Sequence, residues 1–142
     1  MGTTDKTNIT IKVMIKAPVD LVWKMWTTPE DIQKWNYASD DWHSTHVDND
    51  LRVGGRFTSR MEAKDGSAGF DFTGVYEKVI VNELIEYSIE DGRKVNTQFI
   101  ARDNNTEVIE TFEAENVNSV EMQRGGWQAI LDNFKKLVEN NV

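Results

Sequence analysis

From residue 56 to residue 114 the chain alternates apolar and polar side chains, and turn-forming pairs interrupt the alternation at short intervals. "RFTSRMEA" and "GFDFTGVYEKVIV" flank "KDGSA", and "LIEYSI" and "RKVNTQFIA" flank "EDG". "QFIARD" and "TEVIETFEA" flank Asn104-Asn105. Asp-Gly and Asn-rich pairs between alternating runs are the strongest local signal for β-hairpins. Upstream, "STHV" adds a candidate strand, with Asn49-Asp50 as its turn. Successive hairpins make a meander of six strands, and a meander is an antiparallel sheet.

Two helical regions and one further strand flank this core. In "NITIKVMIK", Ile9, Ile11, Val13 and Ile15 alternate with Thr10, Lys12, Met14 and Lys16, the period of a half-buried strand. Pro18 ends it and suits the first residue of a helix. Val19, Val22, Trp23 and Trp26 then fall on one helix face. A second short helix follows, with Thr28 as N-cap, Pro29 at the first position, and Glu30 and Asp31 in the first turn. It carries Ile32 and Trp35 inward and ends near Asn36. At the other end, Asn118 with Glu121 has capping-box spacing. Trp127, Ile130, Leu131, Phe134, Leu137 and Val138 form an apolar stripe, while Gln128, Asp132, Lys135 and Lys136 face water. Residues 119 to 140 are therefore expected to be one long helix packed in a curved antiparallel sheet, an α+β arrangement.

That last helix carries Gly125-Gly126 near its start. An interior glycine costs a helix roughly 1 kcal/mol relative to alanine, so the pair calls for a reason. A patch without side chains lets another backbone or a ligand come close. Gly126, nearer the inward stripe, is expected to border a cavity, and Gly125 to serve only the start of the helix.

The chain has 142 residues, one domain's worth, with no repeat, low-complexity tract or linker. It lacks cysteine, which excludes disulfides and thiolate metal sites. "MGTTDKTN" has no apolar stretch of a secretory signal, and no run approaches the roughly 20 apolar residues of a membrane span. A cytoplasmic location without membrane insertion is expected. A net charge of −8 argues against a nucleic-acid partner, because phosphate binding is driven by Lys and Arg.

"APVDLVWKMWTTPEDIQKW", the "GGRF" at 54–57, "FDFTGVYEKV" and above all "QRGGWQAILDNFKKLVE" resemble one family. It is the branch of the START-like, helix-grip (SRPBCC) superfamily known as activator of heat-shock-protein-90 ATPase homologues. The resemblance covers residues 8 to 140, making the whole chain a single START-like domain. It implies a seven-stranded antiparallel sheet gripping a C-terminal helix, with two short helices between strands 1 and 2. It also implies a cavity between sheet and helix, often used for apolar or amphipathic small molecules. It does not imply one activity, since superfamily members include lipid carriers, hormone receptors, cyclases and co-chaperones.

Candidate site residues follow from the aromatic content and that expected cavity. Of the five tryptophans, Trp23, Trp26 and Trp35 read as core. Trp42 falls where the resemblance puts the cavity mouth, and Trp127 begins the stripe beside the glycines. On the strands, Phe57, Ser59 and Met61 share a face, as do Phe70, Phe72, Gly74 and Tyr76, and Tyr87, Phe99 and Phe112 occupy inward-compatible positions. The ligand-contacting set is expected to be Trp42, Phe57, Met61, Phe72, Tyr76, Tyr87, Phe99, Phe112, Gly126, Trp127 and Ile130, with Arg124 as an anion partner. Arg56, Arg60 and Arg93 are expected to pair with surface carboxylates. On a regular strand His43 and His46 point to opposite faces, and no third ligand of regular spacing joins them near Asp40, Asp41 and Asp48, so no metal is expected.

No catalytic residue is assigned: a nucleophile elbow, a phosphate-cradling loop and an evident acid–base pair are all lacking. No cofactor is expected. Three functions fit: a carrier or sensor of an apolar small molecule, a chaperone-binding module with an acidic surface, and a cyclase- or hydratase-like enzyme. The first is favoured. The chaperone activators that the chain resembles are longer, with an additional N-terminal domain. A homodimer is compatible with the fold.

Overall fold

The structure, a computed structural model, describes residues 7–142. The opening stretch "MGTTDKTN" therefore lies, up to residue 6, outside the described residues. The order of elements is β1 (Asn8–Ile15), α1 (Val19–Thr27), α2 (Pro29–Trp35), β2 (Trp42–Asn49), β3 (Arg56–Ala63), β4 (Gly69–Ile80), β5 (Leu84–Ile89), β6 (Lys94–Arg102), β7 (Asn105–Glu113) and α3 (Val120–Glu139). The strands form one antiparallel sheet in the order β1-β7-β6-β5-β4-β3-β2. It curls into a half-barrel around α3, with α1 and α2 between the first two strands. This is the α+β helix-grip fold.

The strand alternation is realised as burial. Ile9, Ile11 and Ile15 of β1 are buried, and Ile9 pairs with Phe112 of β7. Leu131, Phe134 and Val138 of α3 are almost completely buried, each contributing about 1.5–3 kcal/mol. Trp26 meets Trp35 and Phe134 at ring centroid distances of 4.7 and 4.9 Å, and the Trp35 indole donates to the Met25 carbonyl at 3.0 Å. These contacts fill the space under the C-terminal half of α3. Polar bonds stitch that half to β1 and the residue after it: Lys135 Nζ donates to the Met14 carbonyl at 2.8 Å, and the Lys16 amide donates to Glu139 Oε2 at 2.9 Å.

Several boundaries differ from the sequence reading. Pro18 precedes α1 as its N-cap in an extended conformation, and its carbonyl accepts from the amides of Leu21 and Val22. Ser119, not Asn118, caps α3, because its hydroxyl accepts from the Met122 amide at 3.1 Å. Asn118 instead presents its carbonyl to the Gln123 side chain at 2.9 Å. The last hairpin turns at Asp103-Asn104, with Arg102 paired to Asn105, and Asp103 takes the positive φ of 60°.

The largest difference lies in β2, which is twice the length of "STHV". Its pairing with β3 shifts between Ser44 and His46, so Thr45 is a bulge. An extra residue reverses the phase of everything after it. Ser44 and Val47 are consequently both buried, and His43 and His46 share the outer face instead of opposing faces. His46 pairs there with Asp48 at 2.8 Å.

Candidate functional site

The N-terminal half of α3 presents Met122, Gln123, Gly126, Trp127 and Ile130 towards the sheet. Between them lies a cavity of about 360 Å³, walled by α3, by the inner faces of β2 to β5, by Glu110 of β7, and by residues of α1 and α2. Its aromatic wall is built from the strand register. Phe57 pairs with Gly74, and Gly74 pairs with Ile89 on the other side. A Cβ at Gly74 would stand 2.6 Å from the Phe57 ring and 2.8 Å from the Ser88 carbonyl, so only glycine lets this ring lie across β4. The Phe57 ring then meets Tyr87 edge-on at 4.8 Å, Tyr76 at 5.3 Å and Phe72 at 5.7 Å.

From the helix, Gly126, Trp127 and Ile130 face the same space. The Trp127 indole stacks on Phe112 at 3.9 Å with an 11° interplanar angle, and meets Phe72 edge-on at 6.3 Å. Neither Gly125 nor Gly126 is approached closely: among the described residues, a Cβ at either would meet nothing within 4 Å. Gly126 lines the cavity and Gly125 is exposed. Phe70 and Met122 also line the cavity while being 50% and 68% exposed, which puts them at its opening.

Of the residues singled out from sequence, Phe57, Met61, Phe72, Tyr76, Tyr87, Gly126, Trp127 and Ile130 come together on this surface. Four do not line it. Trp42 stands one residue back, against Phe70 at 5.9 Å. Phe99 is covered by Trp23 and Trp26, at 5.2 and 5.7 Å. Phe112 is 1% exposed beneath the Trp127 ring. Arg124 projects to solvent. Among the other arginines, Arg60 pairs with Glu62 at 3.0 Å, and Arg93 borders the cavity while bound to Asp91 at 2.8 Å.

Sequence reasoning named Tyr76 and Tyr87 among the lining aromatics but passed over Asn49, Gln123 and Glu110 as polar groups of the cavity. The Tyr76 hydroxyl donates to Asn49 Oδ1, and the Asn49 amide donates to the Thr27 carbonyl at 2.7 Å. Gln123 is buried on α3 and closes the loop before the helix, accepting from the Glu115 amide at 2.8 Å. The most consequential is Glu110 of β7, a carboxyl 5% exposed that also lines the cavity. The Thr97 hydroxyl donates to its Oε2 at 3.3 Å. Burial pushes Glu110 up to about 7, against the opposing effect of that hydrogen bond. Tyr87 is raised well above the ordinary tyrosine range, first by burial and then by the nearby Glu110 charge. The signal was present: Thr106, Val108, Glu110 and Phe112 occupy one strand face, and Glu110 is the acid on the inward phase.

A curled antiparallel sheet gripping one long helix, with an aromatic-walled space between them, defines a START-like ligand-binding type of domain. The profile described as "Activator of Hsp90 ATPase homolog 1-like protein" matches residues 16–139, and the chain belongs to that family. The solution structure of an AHSA1-like protein from Aeromonas hydrophila is 46% identical, over 95% of this chain and 94% of that one, with a TM-score of 0.90. A protein from Cytophaga hutchinsonii is 49% identical, over 94% of this chain and 93% of that one, with a TM-score of 0.82. A crystal structure from Chromobacterium violaceum shares the fold at 20% identity, covering 94% and 98% of the two chains with a TM-score of 0.85. No curated protein matches the chain. Among the described residues, no helix is long and apolar enough to cross a membrane, and no cluster of three or more His, Asp or Glu could hold a metal.

Proposed function

We propose that the protein binds an apolar or amphipathic small molecule, lipid-like or aromatic, between α3 and the sheet. The observation that supports this most directly is the unfilled aromatic-walled space itself. Protein interiors are close-packed, with few voids larger than a water molecule. Here the same fold packs solidly under one half of α3 and leaves about 360 Å³ under the other. An opening bordered by exposed Phe70 and Met122 gives an apolar molecule a route in. Few polar groups converge on a mostly apolar wall, the usual composition of a small-molecule site.

The test is titration with N-phenyl-1-naphthylamine, a neutral apolar dye whose emission rises on leaving water. Saturable binding is expected, and Trp127→Ala should weaken it about tenfold, the value of one lost aromatic contact. Denaturation of the variant separates this from unfolding. A folded wild-type protein that leaves the dye dark, or a Trp127→Ala protein that binds it undiminished, overturns the reading.

A further inference from the structure

Glu110 has no task in the packing of the fold. It sits on the inner face in the cross-strand row formed by Ile11, Glu110, Thr97 and Ile85, where an apolar side chain would serve the core at less cost. Among the described residues only one of its oxygens has a protein partner, the Thr97 hydroxyl at 3.3 Å. The carboxyl borders the cavity, so its other oxygen is available to whatever enters. Burying a carboxyl with half of its acceptor capacity unused is unfavourable unless something completes it. Tyr87 lies near enough to feel the Glu110 charge, and Phe57, Tyr76 and Trp127 wall the same cavity.

We propose that Glu110 is the polar anchor for the ligand, and that the cavity selects amphipathic molecules carrying a protonated amine. This rests on the cavity being a binding site. A carboxylate together with aromatic faces is the combination that holds an ammonium group in a desolvated place, one by charge-assisted hydrogen bonding and the other by cation–π attraction. The other charged or titratable groups on the wall do not oppose a cation. Tyr76 and Tyr87 are neutral, Glu115 is acidic, and the Arg93 guanidinium is already engaged by Asp91. Among the described residues no lysine or histidine lines the space, and the chain's net charge of −8 favours approach of a cation over an anion. A fatty acid would bring a second carboxylate to an unneutralised one.

Three ligands with one tail and different heads decide the matter: octylamine, octanol and octanoic acid. Each is titrated against bound N-phenyl-1-naphthylamine at about pH 8, where the amine is protonated and the acid ionised. Octylamine should compete at concentrations about tenfold lower than octanol, with octanoate the weakest. Glu110→Gln keeps the shape and the Thr97 contact but removes the charge, and should erase the amine's advantage while leaving octanol unchanged. Octanol or octanoate matching octylamine on the wild-type protein overturns the proposal, as does an amine advantage that survives in Glu110→Gln. The wild-type ranking decides by itself should Glu110→Gln fail to fold. Calorimetric titration of octylamine reads the anchor without the dye, and a protein that binds the dye but shows no preference for the amine overturns this inference while leaving the cavity reading standing.

Discussion

The chain contains two adjacent-glycine pairs, at 54–55 and at 125–126, and the structure uses them for opposite purposes. In the loop between β2 and β3 the pair is demanded by the backbone. Gly54 takes a φ of 83°, and a Cβ at Gly55 would stand 2.1 Å from the Asp50 carbonyl oxygen. The two residues exchange backbone hydrogen bonds with Tyr76 of β4 at 2.8 and 2.9 Å, fixing the strand that carries part of the cavity wall. In α3, among the described residues, a Cβ at either glycine would meet nothing within 4 Å. One pair is crowded and the other is open. The dipeptide alone is ambiguous, and the atoms around it decide whether the missing side chain serves the chain or a guest.

That contrast can be broken by adding one methyl group at a time. Gly55→Ala should have the largest effect, a loss of about 3 kcal/mol or more, since the carbonyl it strikes is backbone and cannot rotate away. Chemical denaturation measures it, and a loss below about 1 kcal/mol would mean that the loop yields. Gly126→Ala should do the reverse, stabilising α3 by up to about 1 kcal/mol through helix propensity. The same methyl group occupies cavity space, so dye affinity should fall. A strongly destabilised Gly126→Ala protein with normal dye binding would show that this glycine serves packing. Gly125→Ala should be the mildest, with a similar gain of up to about 1 kcal/mol and unchanged dye affinity. A drop in dye binding there would extend the binding surface onto the exposed side of the helix.

How far the sequence disclosed all this depends on which physical interaction set each feature. Hairpins were legible because Asp-Gly pairs act locally, and β3 and β5 have the limits that their alternation implies. β2 was half legible, since the Thr45 bulge breaks the alternation that marks a strand. The Asn118 and Ser119 caps differ by one position and share one chemistry, so only geometry separates them. Phe57 and Phe99 look alike as inward aromatics, yet one borders space and the other lies under two tryptophans. What faces a side chain across the core is a long-range fact. Glu110 is the most instructive residue: the period of the strand places an acid inside, but a lone acid has no paired catalytic partner to make it conspicuous.

The sheet order also dictates a sequence of events in time. β1 and β2 are the first two strands along the chain, yet they occupy opposite edges of the sheet. Ile9 finds its partner at Phe112, and that edge is then covered by α3. As a ribosome extrudes the chain, the hairpins from β2 to β7 have neighbours to pair with almost as they appear. β1 emerges before all of them and must wait until β7 exists. Closing so long a loop costs entropy before any contact repays it. Until then the alternating Ile9, Ile11, Val13 and Ile15 face water as an unpaired edge, the interval in which the young chain is most open to the wrong partner.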